Sequence, residues 1–299
     1  MTDRKAHLDT VAVLSLLVCC VLWGVNQVAA KVAVREMPPL LQAGFRSLGA
    51  AALVAGWSRW RGVPLLARDG SLAGGLWAGV LFAAEFACIF VGLQYTTASR
   101  MVVFIYLSPF VVALGMHFIA HTERLRALQW GGLVCAFAAV ASAFFEGFSR
   151  PHAGAQQWLG DALGVLAAVL WAGTTLVIRG SRLSAAPAEK TLLYQLAVSG
   201  LALSVAGFAT GEHWPQAASS LAWSAFAFQV VIVTFASYLL WFWLVRHYPA
   251  TRLAAFTLLT PIAGLAAGAL LLHEPVTPRL LLALGGVVLG IAMVNRRAG

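Results

Sequence analysis

The sequence predicts an all-α polytopic membrane protein with ten transmembrane helices in two inverted-topology five-helix repeats. Three observations point to it. Apolar stretches recur from Val11 to Val294, each about 20 residues long, the helix length that crosses a hydrocarbon core of about 30 Å. The 299-residue chain is 61% hydrophobic and 10% charged, too apolar for a water-soluble domain, and in lipid a helix satisfies its own backbone. Motifs of the first half return in the second.

The first span, residues 11–34, is too long for a signal-peptide core and lacks a clean cleavage site, so it is expected to be retained. The second, 38–58, opens on Pro38-Pro39, and the third, 72–95, follows Pro64. The fourth, 101–120, carries an internal Ser108-Pro109 kink; the fifth, 127–146, precedes Pro151. The sixth is 159–178, and the seventh, 189–210, begins after Pro187. The eighth, 217–245, follows Pro215 and is long enough to need tilt. The ninth, 252–272, follows Pro249 and contains Pro261, and the tenth, 280–294, is short and follows Pro275 and Pro278. The longest connection, Gly147 to Trp158, leaves no room for a soluble domain.

The formal charge of +9 comes from 20 Lys and Arg against 11 Asp and Glu. The basic residues sit singly or in pairs between apolar runs, as topology determinants do, so no nucleic-acid partner is expected. With the N-terminus inside, fourteen basic residues fall in cytoplasmic segments and five in outer ones, and Arg46 falls within a span. That bias puts both termini in the cytoplasm. Cys19, Cys20, Cys88 and Cys135 all lie in apolar runs and form neither a disulfide framework nor a metal pair. His117 and His121 have metal-ligand spacing, with Glu123 the one further donor nearby, but a solvated face at the cytoplasmic end of span four is the better reading. Asp161 and Glu146 sit at span ends and are expected to be hydrated. No motif for a catalytic triad, a zinc hydrolase, a phosphate loop or a lipid anchor appears, so no catalytic residue, metal or cofactor is assigned.

The repeat rests on two pairs of segments. Val21-Leu22-Trp23-Gly24 … Lys31 matches Val169-Leu170-Trp171-Ala172 … Arg179, and Ala98-Ser99-Arg100 … Leu107-Ser108-Pro109 matches Ala250-Thr251-Arg252 … Leu259-Thr260-Pro261. This divides the chain into repeats at residues 1–150 and 151–299. Five spans is an odd number, so the second copy enters the membrane upside down, the architecture of secondary transporters. The glycine pairs Gly131-Gly132 and Gly285-Gly286 follow in register and permit close helix approach, within the protomer rather than across a dimer. The ten spans, the five-plus-five repeat, the run Leu93–Ser99 and the Leu-Ser-Pro and Leu-Thr-Pro kinks together resemble the drug/metabolite transporter superfamily. Within it the chain is similar to bacterial inner-membrane exporters of amino acids and metabolites, including aromatic amino acid exporters. The resemblance implies a central cavity ringed by spans one, three, four, six, eight and nine, export of solute, and no prosthetic group. The turn at His121-Thr122-Glu123-Arg124 departs from the family pattern, which often has Gly-Glu there.

Charged and polar groups at membrane depth tend to face a bundle interior or a wet cavity. At a rise of about 1.5 Å per residue, Asn26 and Arg46 lie about 12 Å below the outer ends of their spans and Glu85 about 15 Å below its own. Arg46 and Glu85 are expected to form a structural ion pair between spans two and three, and Glu85 is also a candidate for meeting a solute ammonium or a proton. Trp171 and Thr175 share a face of span six, Thr234, Tyr238 and Trp241 share a face of span eight, and Tyr106 precedes the span-four kink. The candidate solute-binding residues are therefore Asn26, Glu85, Tyr106, Trp171, Thr175, Tyr238 and Trp241. An aromatic, largely uncharged lining suits amino acids with large side chains and suits phosphorylated solutes poorly. The expected partners are thus a small-molecule solute, an amino acid or similar metabolite, and membrane lipid. A lipid-modifying membrane enzyme and a channel or sensor remain the competing classes.

Overall fold

The computed structural model describes residues 9–119, 127–248, 253, 256–257 and 259–295, and the described residues form helices joined by short connections. Ten apolar segments are present. Seven helices have the length and mean hydropathy to cross a membrane: Thr10–Ala33, Leu72–Tyr95, Ala98–His117, Ala127–Ser149, Gln157–Gly180, Ala188–Ala209 and Ser220–Trp241. Two shorter apolar helices, Leu259–Leu272 and Pro278–Met293, follow. The second span, Pro39–Trp60, is long enough but less apolar, because it carries Gln42, Arg46, Ser47 and Ser58, all fully buried. Many large apolar side chains on these helices face outward instead, including Leu14, Val80, Val134 and Leu289. That inversion suits a lipid solvent, and the chain is a multi-pass membrane protein.

Chain direction alternates at every span, and side-chain contacts at the span ends show it. At the near end, where the described chain begins, Asp9 receives the Tyr248 hydroxyl at 2.9 Å and Lys190 Nζ donates to Asp69 Oδ2 at 2.8 Å. At the far end, Glu212 accepts from the backbone of Leu40 and Leu41 at the start of span two, and Glu36 from Ser219 at the start of span eight. Acids at helix N-termini offset the unpaired amide dipoles there.

The tightest helix pairings join the first half to the second: span five on ten, three on six, two on seven, and one on nine. Glycines set two of these crossings. A Cβ on Gly290 would lie 2.6 Å from the Gly132 carbonyl oxygen, and one on Gly24 would lie 2.6 Å from the Gly264 nitrogen. The close approach expected of the glycine pairs is thus made inside the protomer at Gly132 and Gly286, and at Gly290 as well, while a Cβ on Gly131 would only touch Met293 and Gly285 faces open space.

Two spans depart from regular helix. Span four starts at Ala98 rather than 101, stops at Ile105 and resumes at Ser108. Pro109 has no amide hydrogen for the Ile105 carbonyl, so the helix breaks at Tyr106–Leu107 as expected from the kink. Span eight is α-helical over Ser220–Ala227, a π-helix over Phe228–Ser237, and α-helical again over Tyr238–His247. A π-segment of this length is rare and typical of functional sites.

The near-end contact at Asp69 carries an acid-dependent prediction. Its hydrogen bonds from Lys190 and Ser71 hold its carboxyl well below the usual carboxylate range. A carboxyl depressed in the folded state contributes its stability above the ordinary value of about 4 and loses it as pH falls toward the folded value. Pepsin cleavage within the 61–71 connection should therefore rise as pH drops below about 4, and Asp69→Asn should already be susceptible at the upper end of the range. Equal cleavage of the two proteins across that range would remove Asp69 from the account.

Candidate functional site

Two polar groups lie inside the bundle. The central group is built from spans one, two, three and eight, with spans four, six and nine beside it. Arg46 is completely buried and Glu85 is 5% exposed. The expected direct ion pair is not closed: no nitrogen–oxygen distance between them is within 4.0 Å. Instead the Arg46 guanidinium stacks 3.9 Å from the Phe86 ring centroid and 5.3 Å from that of Phe90. The rings take the cation's flat face and leave its N–H edge and Glu85 Oε2 without protein partners. Arg46, Glu85 and Tyr238 are still close enough to influence one another electrostatically.

Aromatic side chains surround this group. Trp23 donates to Ser237 Oγ at 2.9 Å and meets Tyr238 and Trp241 edge-on, with centroids 6.4 and 5.4 Å away. Tyr106 meets Trp171 edge-on at 5.9 Å. Asn26, one turn after Trp23, is buried with its carbonyl oxygen unpartnered, as is the hydroxyl of Thr234, while the Thr260 hydroxyl stands beside Tyr106 and Cys20. An unsatisfied buried polar group costs about 1–3 kcal/mol, so each unpartnered atom here is a candidate contact for a polar solute. The structure thus sets Tyr106 against Trp171 and both Tyr238 and Trp241 against Trp23, with Glu85 near enough to Tyr238 to influence it electrostatically. Thr175 turns its hydroxyl back to the Trp171 carbonyl at 3.1 Å and is drawn into none of these contacts. An open recess of about 410 Å³, lined by residues 34–39, Gln94 and Glu212, lies apart from them at the far end.

The second group lies at the far end. Arg100, 3% exposed, binds Asp161 at 2.7 Å and Glu146 at 3.3 Å and donates to the Ala143 carbonyl. Thr96 and Thr277 add hydroxyl bonds of 2.6 Å to Asp161 and Glu146. Glu274 caps the helix starting at Ala98 through the amides of Ala98 and Ser99 and the Ser99 hydroxyl. Lys31 donates to the carbonyls of Leu93 and Thr96. The expectation that Asp161 and Glu146 are hydrated is therefore wrong. They are span-end residues by position, but the packing of spans four, five, six and ten seals them against Arg100, which needs both charges.

Sequence reasoning missed Trp23, Thr260 and this far-end network. Trp23 carried a signal: it shares a helical face with Asn26 and sits in a repeated motif. Arg100 did too, since Ala-Ser-Arg recurs at Ala250-Thr251-Arg252. The candidate metal pair cannot be followed, because His121 and Glu123 lie outside the described residues; His117 packs edge-on against Trp130.

A model of the EamA-like transporter family matches residues 10–145 and again 158–296. The chain belongs to the EamA-like transporter family. It is accordingly a transporter of the drug/metabolite superfamily rather than an enzyme. Among curated relatives, "Uncharacterized transporter YvbV" of Bacillus subtilis is 28% identical over 93% of this chain and 89% of its own. The "Probable amino-acid metabolite efflux pump" of Escherichia coli is 28% identical over 89% of this chain and 88% of its own. One solved crystal structure of a chain 19% identical shares the fold, with a TM-score of 0.64 over 95% of this chain and 96% of that one.

Proposed function

We propose that this EamA-family transporter exports amino acids, aromatic or other large neutral ones, across a bacterial inner membrane by alternating access. The observation that carries the reading is the central group: unpartnered buried polar atoms at mid-depth, walled by Trp and Tyr. Asn26 and Glu85 take polar ends of the solute, and Tyr106, Trp171, Tyr238 and Trp241 face its side chain, with Thr175 at the edge. The efflux-pump name of the Escherichia coli relative agrees with export of an amino-acid metabolite.

The inverted repeat, 1–150 and 151–299, supports alternating access. A shift of five spans exchanges the pairing of one on nine with that of six on four, and leaves two on seven and five on ten unchanged. The family model also matches each half separately. The packing is unequal, however: span three lies more extensively on six and seven than span eight does on one and two. Exchanging those two environments between the repeats is the motion that alternating access asks for. Because the tightest pairings link the two repeats, the moving units are helix pairs drawn from both repeats rather than one whole repeat. The basic-residue bias makes the near end and both termini cytoplasmic, so the far end with its ion-pair network faces outward.

Counterflow of labelled L-phenylalanine in proteoliposomes tests the reading, since a carrier shows trans-stimulation, a channel does not, and a lipid enzyme alters its substrate. Trp171→Ala and Tyr238→Ala should each cut counterflow on the order of tenfold, the loss of about 1–2 kcal/mol of aromatic contact, while still inserting normally. Undiminished counterflow in both would take these two side chains out of the site.

A further inference from the structure

We infer that Arg46 is the carboxylate receptor of the solute site, and that it and Glu85 form an opened ion pair that a zwitterion closes. The inference rests on the amino-acid reading above and deepens it by naming the charge pattern of the solute.

The guanidinium is wholly buried, yet Nε, Nη1 and Nη2 all lack a protein partner. A cation at membrane depth is costly unless paired. Glu85, from the next span, is the obvious partner, but it stands beyond ion-pair distance with Oε2 unpartnered. Phe86 follows Glu85 in the chain and stacks on the guanidinium face at 3.9 Å. Stacking leaves the planar donor edge free, and that edge matches a carboxylate with two parallel hydrogen bonds. An α-amino acid carries its carboxylate and ammonium about 3 Å apart, so one end can meet Arg46 while the other meets Glu85. The side chain then falls among Tyr238, Trp23 and Trp241, the rings adjoining this pair. A solute with only an amine leaves the guanidinium unpaired, which gives the site a reason to reject it.

The experiment uses the purified full chain in detergent and follows thermal unfolding with L-phenylalanine, L-leucine, 3-phenylpropanoate or 2-phenylethylamine. Phenylalanine or leucine should stabilise the wild type at the lowest concentration, 3-phenylpropanoate should need more, and 2-phenylethylamine should do little. Arg46→Gln should need at least about tenfold more of either carboxylate probe, with an unliganded midpoint at or above that of the wild type because an unpaired charge has been removed. Arg46→Lys, which keeps the charge and the fold but loses the planar fork, should show the same loss of affinity. Unchanged amino-acid affinity in both variants overturns the inference and leaves the amino-acid carrier standing. A lower unliganded midpoint for Arg46→Gln with affinity retained would assign Arg46 a structural role. Wild-type binding of 3-phenylpropanoate without either amino acid, lost in Arg46→Gln, keeps the receptor and removes the amino-acid reading. A wild type that no carboxylate probe stabilises overturns the receptor outright, while phenylalanine counterflow judges the carrier separately.

Discussion

Asp161→Ala should destabilise the bundle by about 3–5 kcal/mol, the range for removing one partner of a buried charge pair. Asp161 is fully buried and takes two donors of Arg100, with Nη2 to Oδ2 at 2.7 Å and Nε to Oδ1 at 3.1 Å, as well as the Thr96 hydroxyl. Its loss leaves Arg100 with Glu146 at 3.3 Å and a hole in the seam between spans four and six. Denaturation in mild detergent should show a large fall in midpoint, whereas Ser149→Ala, whose hydroxyl is exposed, should change little. Replacing all three charged groups, Arg100→Met with Asp161→Leu and Glu146→Gln, should recover most of the stability, because the cost lies in the orphaned charge rather than in the missing bond. A wild-type midpoint for Asp161→Ala would mean the network is ornamental. The triple variant carries a functional consequence as well: a far end no longer latched by charge should spend more time open to the outside, read as faster alkylation of a cysteine introduced at Thr97 by an impermeant thiol reagent.

Gly24→Val should abolish counterflow. A Cβ at this position would stand 2.6 Å from the Gly264 nitrogen and 2.9 Å from the Ala263 carbonyl carbon. Those are backbone atoms, so no side chain can swing away and spans one and nine must separate. Overpacking a tight site costs about 1–3 kcal/mol, and here the displacement also moves Trp23 and Asn26, the neighbours of Gly24 in the central group. The same substitution at Gly56, where a Cβ meets nothing within 4 Å, is the matched control and should transport normally. Normal counterflow by Gly24→Val would show that the crossing yields without disturbing the site.

Much of this architecture was legible because it depends on composition and periodicity. The apolar stretches, the proline punctuation and the span-four break all follow from local chemistry, and the helices fall within a few residues of expectation where they are described. The burial of Asn26, Arg46 and Glu85 was legible too, since a polar group in hydrocarbon has few places to face. Partner choice was not. Arg46 and Glu85 have the right depth for a direct bond, but the guanidinium stacks on Phe86 with its nitrogens and Glu85 Oε2 left unpartnered. Asp161 and Glu146 look like hydrated end residues until spans four, five, six and ten close over Arg100. The π-helix at Phe228–Ser237 was likewise unreadable, because a 3.6-residue spacing assumes the regular helix that this segment abandons.

Lipid as solvent, the number of apolar segments and the depth of each polar residue come from the order of residues alone, because burying an unpaired backbone or an isolated charge in hydrocarbon costs too much for any other arrangement. Which polar groups meet and which stay apart depend on a few ångströms of helix packing. Those ångströms are set by distant glycines and aromatic rings touching across spans, and no local pattern in the chain records them.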